Sequence, residues 1–553
     1  MQLTGAEIIT EVLIEQGVTE LFGYPGGAAL NIYDALYAKR DKIHHYLAAH
    51  EQGATHAADG YARATGKTGV VIATSGPGAT NTVTGIATAA LDSSPLVVIT
   101  ANVGTGLIGR DSFQEVYIAG ITQPITKHNY VVRDVSQLAD ILRSAFNIAG
   151  SGRKGPVLVD VPKDITAQKT EFYPCEKFVP AAPESPEEDR IKTIAALINE
   201  SERPVVCVGG GVIASEATDI LRTFVASAEI PTCHTIMGTG VIGYNHPQDL
   251  GMLGMHGSVL ANRAVDGADL LLAIGMRFSD RVALNVERFA PAAKIVQIDI
   301  DPSEIAKNVA TDYALVSDIR AALTALLPHI KCCKRTAWET QIASWRKDEY
   351  VPEHIPGRMR PHEIMNEISR QAGDEAIIVT DVGQHQMWAA QFCGGTKPRG
   401  FLTSGGLGTM GFGYGAAIGA KVGVPDATVI HVTGDGSFHM NLNEACTAVS
   451  YDLPIITVIM NNGVLGMVRQ WQAAFYDRHY MSTSPERKTD YVKVAEGFGA
   501  AGYRAETLEE FQQALSSALA AKKPAWIDCR IDKDEKVLPM IPSGMTVDDI
   551  IVR

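Results

Sequence analysis

The sequence predicts an α/β protein of three doubly wound parallel-sheet domains. Short β-branched apolar runs, such as residues 428–432 and 455–460, alternate with helical stretches along the whole chain. That alternation is the signature of buried parallel strands covered by helices on both faces. Two segments interrupt it: residues 172–189, rich in Pro and Glu, and residues 347–361, with Pro352, Pro356 and Pro361. Neither has apolar periodicity, so both read as linkers. A length of 553 residues suits three ordinary domains. The expected divisions are 1–171, 190–330 and 361–540, followed by a tail at 541–553.

In the first section, Thr4-Gly-Ala-Glu7 forms a capping box ahead of Ile8, Ile9, Val12 and Leu13, so no signal segment is expected before the fold. Residues 43–51 read as a strand running into a helix that begins at Gln52, which puts Glu51 at a strand end. An acid there is either a helix N-terminal charge partner or a catalytic group. Gly23-Tyr24-Pro25-Gly26-Gly27 and Ser75-Gly76-Pro77-Gly78 follow two further strands. Ligands gather at such edges of open parallel sheets. The middle section opens with a buried strand entering Gly209, Gly210 and Gly211, either a dinucleotide phosphate loop or an ordinary turn.

The third section holds Gly434-Asp435-Gly436 and then Asn461-Asn462, each after an apolar run, with residues 441–450 as the helix between them. A parallel crossover of this kind is right-handed and leaves both strand ends on one edge. Asp435 and Asn462 thereby offer a carboxylate and an amide oxygen, hard ligands suited to Mg²⁺. The two glycines allow a phosphate to approach the backbone. The first and third sections are alike in plan, each closing on a buried strand after Gly155-Pro156 or Lys523-Pro524.

Composition excludes several classes. Hydrophobic residues make up 46% and charged residues 20%, enough for a large core. A net charge of −14 with no basic block argues against nucleic acid or an acidic membrane as partner. No run approaches a membrane span. Eight cysteines form no Cys-x-x-Cys pair and no zinc spacing, which suits a reduced, cytoplasmic setting.

Gly-Asp-Gly with Asn-Asn resembles the diphosphate and metal motif of thiamine-diphosphate enzymes. Longer motifs narrow the likeness: Gly-Tyr-Pro-Gly-Gly (23–27), His-Glu-Gln-Gly-Ala (50–54), Ser-Gly-Pro-Gly-Ala-Thr-Asn (75–81) and Asp-Ser-Phe-Gln-Glu (111–115). Further along stand Gly-Met-His-Gly (254–257), Gly-Met-Arg-Phe-Ser-Asp-Arg-Val (275–282), Gly-Gln-His-Gln-Met-Trp (383–388) and Gly-Met-Val-Arg-Gln-Trp (466–471). With these the chain resembles, over essentially its whole length, the catalytic subunit of the acetohydroxyacid (acetolactate) synthase family.

The resemblance implies a set of roles. Glu51 would hydrogen-bond the pyrimidine of thiamine diphosphate and share a proton with it. Tyr24, Pro25, Gly26, Pro77, Asn81 and Gln114 would complete that half of the cofactor site. Gly383, Gln384, His385 and Gly408 would surround the rest, with Met410 wedged between the rings. Gly434, Asp435, Gly436 and Ser437 would face the diphosphate, as would Leu465, Gly466 and Met467. Mg²⁺ would be held by Asp435, Asn462 and the carbonyl of Val464. A non-redox FAD would contact Gly209, Gly210, Gly211, Gly254, Met255, His256 and Gly257. Gly275, Arg277, Asp280, Arg281, Asp299, Ile300 and Asp318 belong to the same expected FAD set, with Phe113 and Arg153 from the first section.

Two pyruvates would give 2-acetolactate and CO₂, or pyruvate and 2-oxobutyrate would give 2-aceto-2-hydroxybutyrate, in isoleucine and valine biosynthesis. Arg281 would capture the acceptor carboxylate through its planar fork. Trp471 would favour the ethyl group of 2-oxobutyrate, although with Met467 it could equally be helix core. Gly27, Phe113, Gln114, Lys163 and Val468 would line the approach, Lys163 being otherwise a plain surface lysine. Glu51 and Asp435 would come from different chains, so a homodimer is the minimum and a homotetramer is expected, with a separate regulatory subunit as a further partner.

The chain departs from the family pattern at Asn102 and Gly104, at Tyr414-Gly415, and at Ser279, where the family has an aspartate. Three rivals remain. One is a flavin-free catabolic acetolactate synthase or another thiamine-diphosphate carboligase or decarboxylase. The others are a non-catalytic binding partner and a flavin or nicotinamide oxidoreductase.

Overall fold

The computed structural model describes residues 1–177, 183–243, 246–393 and 397–553. Three six-stranded sheets, parallel throughout, organise the chain. The first contains β1 (Glu20–Tyr24), β2 (His44–Leu47), β3 (Gly69–Ala73), β4 (Leu96–Asn102), β5 (His128–Val131) and β6 (Pro156–Pro162), in the order 2-1-3-4-6-5. The middle sheet contains β7 (Pro204–Val208), β8 (Thr232–His234), β9 (Asp249–Met252), β10 (Leu270–Ile274), β11 (Lys294–Asp299) and β12 (Tyr313–Val316), in the order 9-8-7-10-11-12. The third contains β13 (Ile377–Thr380), β14 (Phe401–Leu402), β15 (Val429–Gly434), β16 (Ile455–Asn461), β17 (Ala501–Ala505) and β18 (Ala525–Arg530), in the order 14-13-15-16-18-17.

The first and third sheets therefore share one winding. The middle sheet has the order typical of dinucleotide-binding folds, with its reversal between β7 and β10. Strand composition follows from burial on both faces: all seven residues of β4 and of β6 are buried, so apolar residues run on instead of alternating. The capping box at Thr4 and Glu7 is present, and Ile8, Ile9, Val12 and Leu13 are buried behind it. Residues 2–4 pair antiparallel with residues 169–171, tying the chain start to the end of the first sheet's last connection.

Two helices join the first and third sheets: α1 (Glu51–Thr65) and α2 (Phe412–Gly423). Their backbones touch. A Cβ on Gly60 would strike the Ala416 carbonyl, one on Gly419 the Ala57 carbonyl, and one on Gly415 would sit 2.7 Å from the Gly53 carbonyl oxygen. Apolar residues of both domains consequently form one core, from Phe22, Val71 and Ile86 to Phe412, Ile418 and Trp526.

The expected helix over 441–450 is present, with its first turn wound as 3₁₀. A single turn at Asp435–Phe438 starts directly at the end of β15, and after a gap a 3₁₀ turn at Leu442–Glu444 leads into Ala445–Ser450. Asn441, at φ −147° and ψ 23°, separates the two segments, and its amide donates to the Gly411 carbonyl at 3.1 Å. The C-terminal segment runs back from the third sheet to the middle domain. There Ile541 N–H donates to Met255 O at 2.8 Å and Asn285 Nδ2 to Gly544 O at 2.9 Å. No helix among the described residues is long and apolar enough to cross a membrane.

Gly419→Ala should cost about 3 kcal/mol, since neither backbone can retreat from the added methyl. Gly497→Ala lies in a helix with nothing within 4 Å of the new Cβ, so it should be neutral or slightly stabilising. Urea unfolding of the two variants compares them; equal midpoints would show that the helices are not in backbone contact.

Candidate functional site

Asp435 and Asn462 stand side by side where β15 and β16 end, as the crossover requires. Burial pushes the Asp435 carboxyl up to about 6, against the opposing pull of the nearby Arg487 guanidinium and of its own and Asn462's backbone N–H groups. Asn462 Oδ1 accepts from Val464 N–H at 3.1 Å, and its Nδ2 donates to Gln384 Oε1 at 3.2 Å. A Cβ on Gly436 would lie 2.7 Å from Leu465 Cδ2 and 4.0 Å from Met410 Cε, so these side chains close over that glycine. Ser437 Oγ accepts from Gly411 N–H at 3.2 Å. Gly383 and Gly408 take positive φ, at 151° and 72°.

His385 is buried among these turns, its ring 2.8 Å from where a Gly434 Cβ would be. Burial holds its imidazole down to about 4, and Nε2 has no hydrogen-bond partner among the described residues. A desolvated carboxylate and an orphaned imidazole nitrogen thus share one glycine-lined edge. Asp435 would suit a divalent cation and His385 a phosphate oxygen. Beneath them, desolvation opposes ionisation of Asp381, but the imidazole of His431, Gly413 N–H and the Thr433 hydroxyl outweigh it and hold the carboxyl at about 2. This bonding ties the start of α2 to β15.

Glu51 is the first residue of α1, with the His50 ring accepting Gln52 N–H at 3.1 Å as its cap. Its Oε2 accepts from Asn81 Nδ2 at 2.9 Å, and the missing Cβ of Gly78 leaves room beside Oε1. The turn ahead of Glu51 is held from the third domain: Glu444 accepts Ala49 N–H at 3.2 Å and His50 N–H at 3.1 Å. Sequence reasoning missed Glu444. Tyr24 ends β1, Pro25, Gly26 and Gly27 follow it on the same edge, and Pro77 opens the next turn. Gln114, at φ 58°, packs its backbone on Gly76, while Phe113 is 87% exposed. Lys163 is exposed at the start of a short helix after β6 whose Ile165 and Thr166 are buried.

A cleft of about 1630 Å³ lies between the middle domain and the other two. Arg153, Gly210, Gly211, Met255, His256 and Gly275 line it, as do Arg277, Asp280, Asp299, Ile300 and Asp318. Its other wall carries Gly383, Gly408, Met467 and Trp471. Gly209 and Gly211 are glycine for a packing reason, because a Cβ on either would meet the Gly275–Met276 turn. Gly254 and Gly257 support the wall from behind, and a Cβ on Gly254 would strike the Arg281 carbonyl. Asp318 caps the following helix through Ala321 N–H at 3.0 Å. Burial pushes the Asp299 carboxyl up and the His256 imidazole down to about 4. Arg153 pairs with Glu304 at 2.6 Å and Asp301 at 3.1 Å, across the domain boundary.

At the cleft mouth the Arg281 guanidinium sits 5.7 Å from the Trp471 ring centroid. Its backbone is held by Met255 N–H, which donates to Arg281 O at 2.9 Å. Trp471 packs edge-on to Phe475 at 5.8 Å and faces the cleft, with Nε1 buried and unpartnered among the described residues. Val468 is half-exposed on the outer side of the same helix, α3 (Gly466–Phe475). One chain thus brings Arg281, Met467 and Trp471 together with most of the expected flavin set. Glu51, Phe113, Gln114 and Lys163 do not line that cleft.

The departures have local accounts. Asn102 donates to Asp160 Oδ2 at 2.6 Å, Thr100 donates to the other oxygen at 2.7 Å, and burial pushes this carboxyl up to about 6. Tyr414 fills the core with its hydroxyl accepting Trp526 Nε1–H at 3.1 Å, and Gly415 permits the close contact of α2 with α1. Ser279 lines the cleft and leaves Asp280 as the acid beside Arg281.

Comparison with known proteins agrees with this layout. Family models described as the N-terminal TPP binding domain, the central domain and the C-terminal TPP binding domain of thiamine pyrophosphate enzymes match residues 3–121, 191–326 and 381–529. The acetolactate synthase of Mycobacterium leprae is 45% identical over 99% of this chain and 90% of its own length. The acetolactate synthase large subunit of Parasynechococcus marenigrum is 44% identical, covering 98% and 90%. A probable acetolactate synthase large subunit of Methanocaldococcus jannaschii is 44% identical, covering 99% and 95%. The chain belongs to the thiamine-diphosphate-dependent acetolactate synthases, as a catalytic large subunit.

Proposed function

We propose that this acetolactate synthase joins two pyruvates into 2-acetolactate with loss of CO₂, and also takes 2-oxobutyrate as acceptor, at a site completed by a second copy of the chain. The activity is that of the family; the acceptor choice, Mg²⁺, FAD, the residue roles and the assembly are the further reading. A cytoplasmic setting and a smaller regulatory subunit belong to it too, the latter because relatives are named large subunits. The observation that carries the acceptor reading is the Arg281 guanidinium over the Trp471 ring. A 2-oxo acid needs a planar cation for its carboxylate and an apolar wall for its alkyl group, and that pair offers both.

When bound, thiamine diphosphate supplies a thiazolium carbon that takes up the electron pair released with CO₂. The chain's own residues do the rest. Glu51, oriented by Asn81, holds a proton opposite the pyrimidine nitrogen. Asp435, Asn462 and the Val464 carbonyl hold Mg²⁺, and His385 donates to the diphosphate. Arg281 fixes the acceptor carboxylate, Trp471 meets its alkyl chain, and Phe113, Gln114 and Lys163 of the partner chain close the approach. Arg277, Asp299 and the turns of the middle sheet hold FAD in the cleft, with no part in electron transfer because the reaction moves no net electrons.

Glu51→Gln should fold and bind cofactor, yet lose about a hundredfold or more in turnover. Co-expressed with Asp435→Ala it should recover about a quarter of the parent rate, since half of random dimers are mixed and each of those keeps one intact site. No recovery would place both residues in one chain's site. Trp471→Leu should shift the acceptor ratio towards unity by roughly 10–200-fold while sparing acetolactate formation. Mass analysis of products from mixed pyruvate and 2-oxobutyrate measures this, and an unchanged ratio would return Trp471 to a packing role. Purified protein should gain thermal stability with FAD through linkage and keep turning over with a redox-inert flavin. Full activity without flavin and no stabilisation by it would favour the flavin-free relatives.

A further inference from the structure

Gln470 is the one buried residue of α3, a helix otherwise at least partly exposed along its length. A buried amide is costly unless it is bonded, and this one is bonded on both atoms. Its Oε1 accepts from Gln384 Nε2 at 3.0 Å and from Val537 N–H at 2.9 Å, and its Nε2 donates to Val537 O at 3.1 Å. The pairing with Val537 has the form of a strand rung, made by a side chain.

Each partner leads to a different half of the site. Gln384 Nε2 also donates to Glu535 O at 2.8 Å, which leaves its Oε1 free to accept from Asn462 Nδ2 at 3.2 Å. That contact sets which way the Asn462 amide faces: with Nδ2 donating to Gln384, Oδ1 accepts from Val464 N–H. On the other branch, Val537 begins the segment whose Leu538 carbonyl receives Gln391 Nε2 at 3.2 Å. Its Ile541 N–H donates to Met255 O at 2.8 Å, and Met255 N–H donates to Arg281 O at 2.9 Å. One amide is thereby bonded towards the residue read as holding the cation and towards the loop that carries the acceptor arginine.

We propose that Gln470 is a positioning residue, orienting Asn462 through Gln384 and docking the 537–541 segment under Arg281. The inference rests on the reading of Asn462 as a cation ligand. Its test is thiamine diphosphate binding to the metal-stripped protein in the presence of Mg²⁺, followed by calorimetry, with amide hydrogen exchange over residues 537–541 as a second readout. Gln470→Met should weaken binding by about tenfold, the worth of one or two buried hydrogen bonds. It should also speed exchange at Ile541.

Because Gln470 acts through Gln384, the double variant with Gln384→Met should bind no worse than Gln384→Met alone. Additive losses, or an unchanged Gln470→Met, would overturn the proposal. Gln470→Glu keeps the oxygen that Gln384 and Val537 bond but loses the donor to Val537 O. It should hold cofactor affinity near the parent while exchange at 537–541 speeds, and it decides the matter alone if Gln470→Met does not fold. Loss of both properties in that variant, or of neither, would also overturn it. Asn462→Ala separates the two levels: parent-like binding there would sink the cation-ligand reading itself, whatever Gln470 does.

Discussion

The backbone contact between α1 and α2 governs the arrangement of most of this molecule. Helices that close leave no room for side chains along the seam, which is why glycine stands at 60, 415 and 419. The contact welds the first and third sheets into one core. It also fixes where Glu51 lies, because Glu51 is the first residue of α1 and its preceding turn is bonded to Glu444 of the third domain. The acid therefore faces Asn81 and Gly78 of its own domain, while the same chain's Arg281 and Trp471 open onto a different cleft. A rigid seam of this kind favours assembly over domain motion as the way to complete the site.

Much of this was legible in sequence, for an identifiable reason. Strands buried on both faces declare themselves as apolar runs, and the residues at their C-terminal ends necessarily share an edge. Asp435 with Asn462, and the glycine turns around Glu51, could be read that way. Contacts made across hundreds of residues could not. Nothing in Asn443-Glu444-Ala445 announces a bond to Ala49, 395 residues away. Gln470 carries no signal of its bonds, because Gln384 lies 86 residues away and Val537 in an irregular segment with no periodicity. The turn at Asp435–Phe438 ahead of the 441–450 helix is silent in sequence for a similar reason, since Asn441 between them is bonded to Gly411.

The middle domain shows how one sequence signal can carry two meanings. Three glycines after a buried strand suggest a phosphate loop, and the 3-2-1-4-5-6 winding of this sheet agrees with a dinucleotide. Yet Gly209 and Gly211 are already required by the Gly275 turn packed against them, and Gly211 N–H is spent on Gly275 O. The glycines alone therefore say little about a ligand. The stronger support is the cleft itself, whose 1630 Å³ exceeds the roughly 300–1,000 Å³ of an ordinary ligand pocket.

Charge within that cleft separates structural cations from those free to meet a ligand. The chain carries a net −14, but the cleft gathers Arg63, Arg153, Arg190, Arg277, Arg281 and Arg399, of which Arg190 pairs with Glu187 and Arg399 donates to the Arg63 and Ile213 carbonyls. Arg63 is neutralised by Asp59 and Asp92, and Arg153 by Asp301 and Glu304, so both serve to hold domains together. Arg277 has no ion pair among the described residues, and Arg281 has only Asp280 at 3.8 Å, between two largely exposed side chains. An exposed pair at that distance is worth little. Basic and acidic side chains nearly balance along the cleft, so what meets a small anion there is the individual arginine that no carboxylate holds. Arg277 and Arg281, left without firm partners, stand on the middle-domain side of the cleft facing the Trp471 wall, where the proposed phosphate and 2-oxo acid carboxylate would each need one.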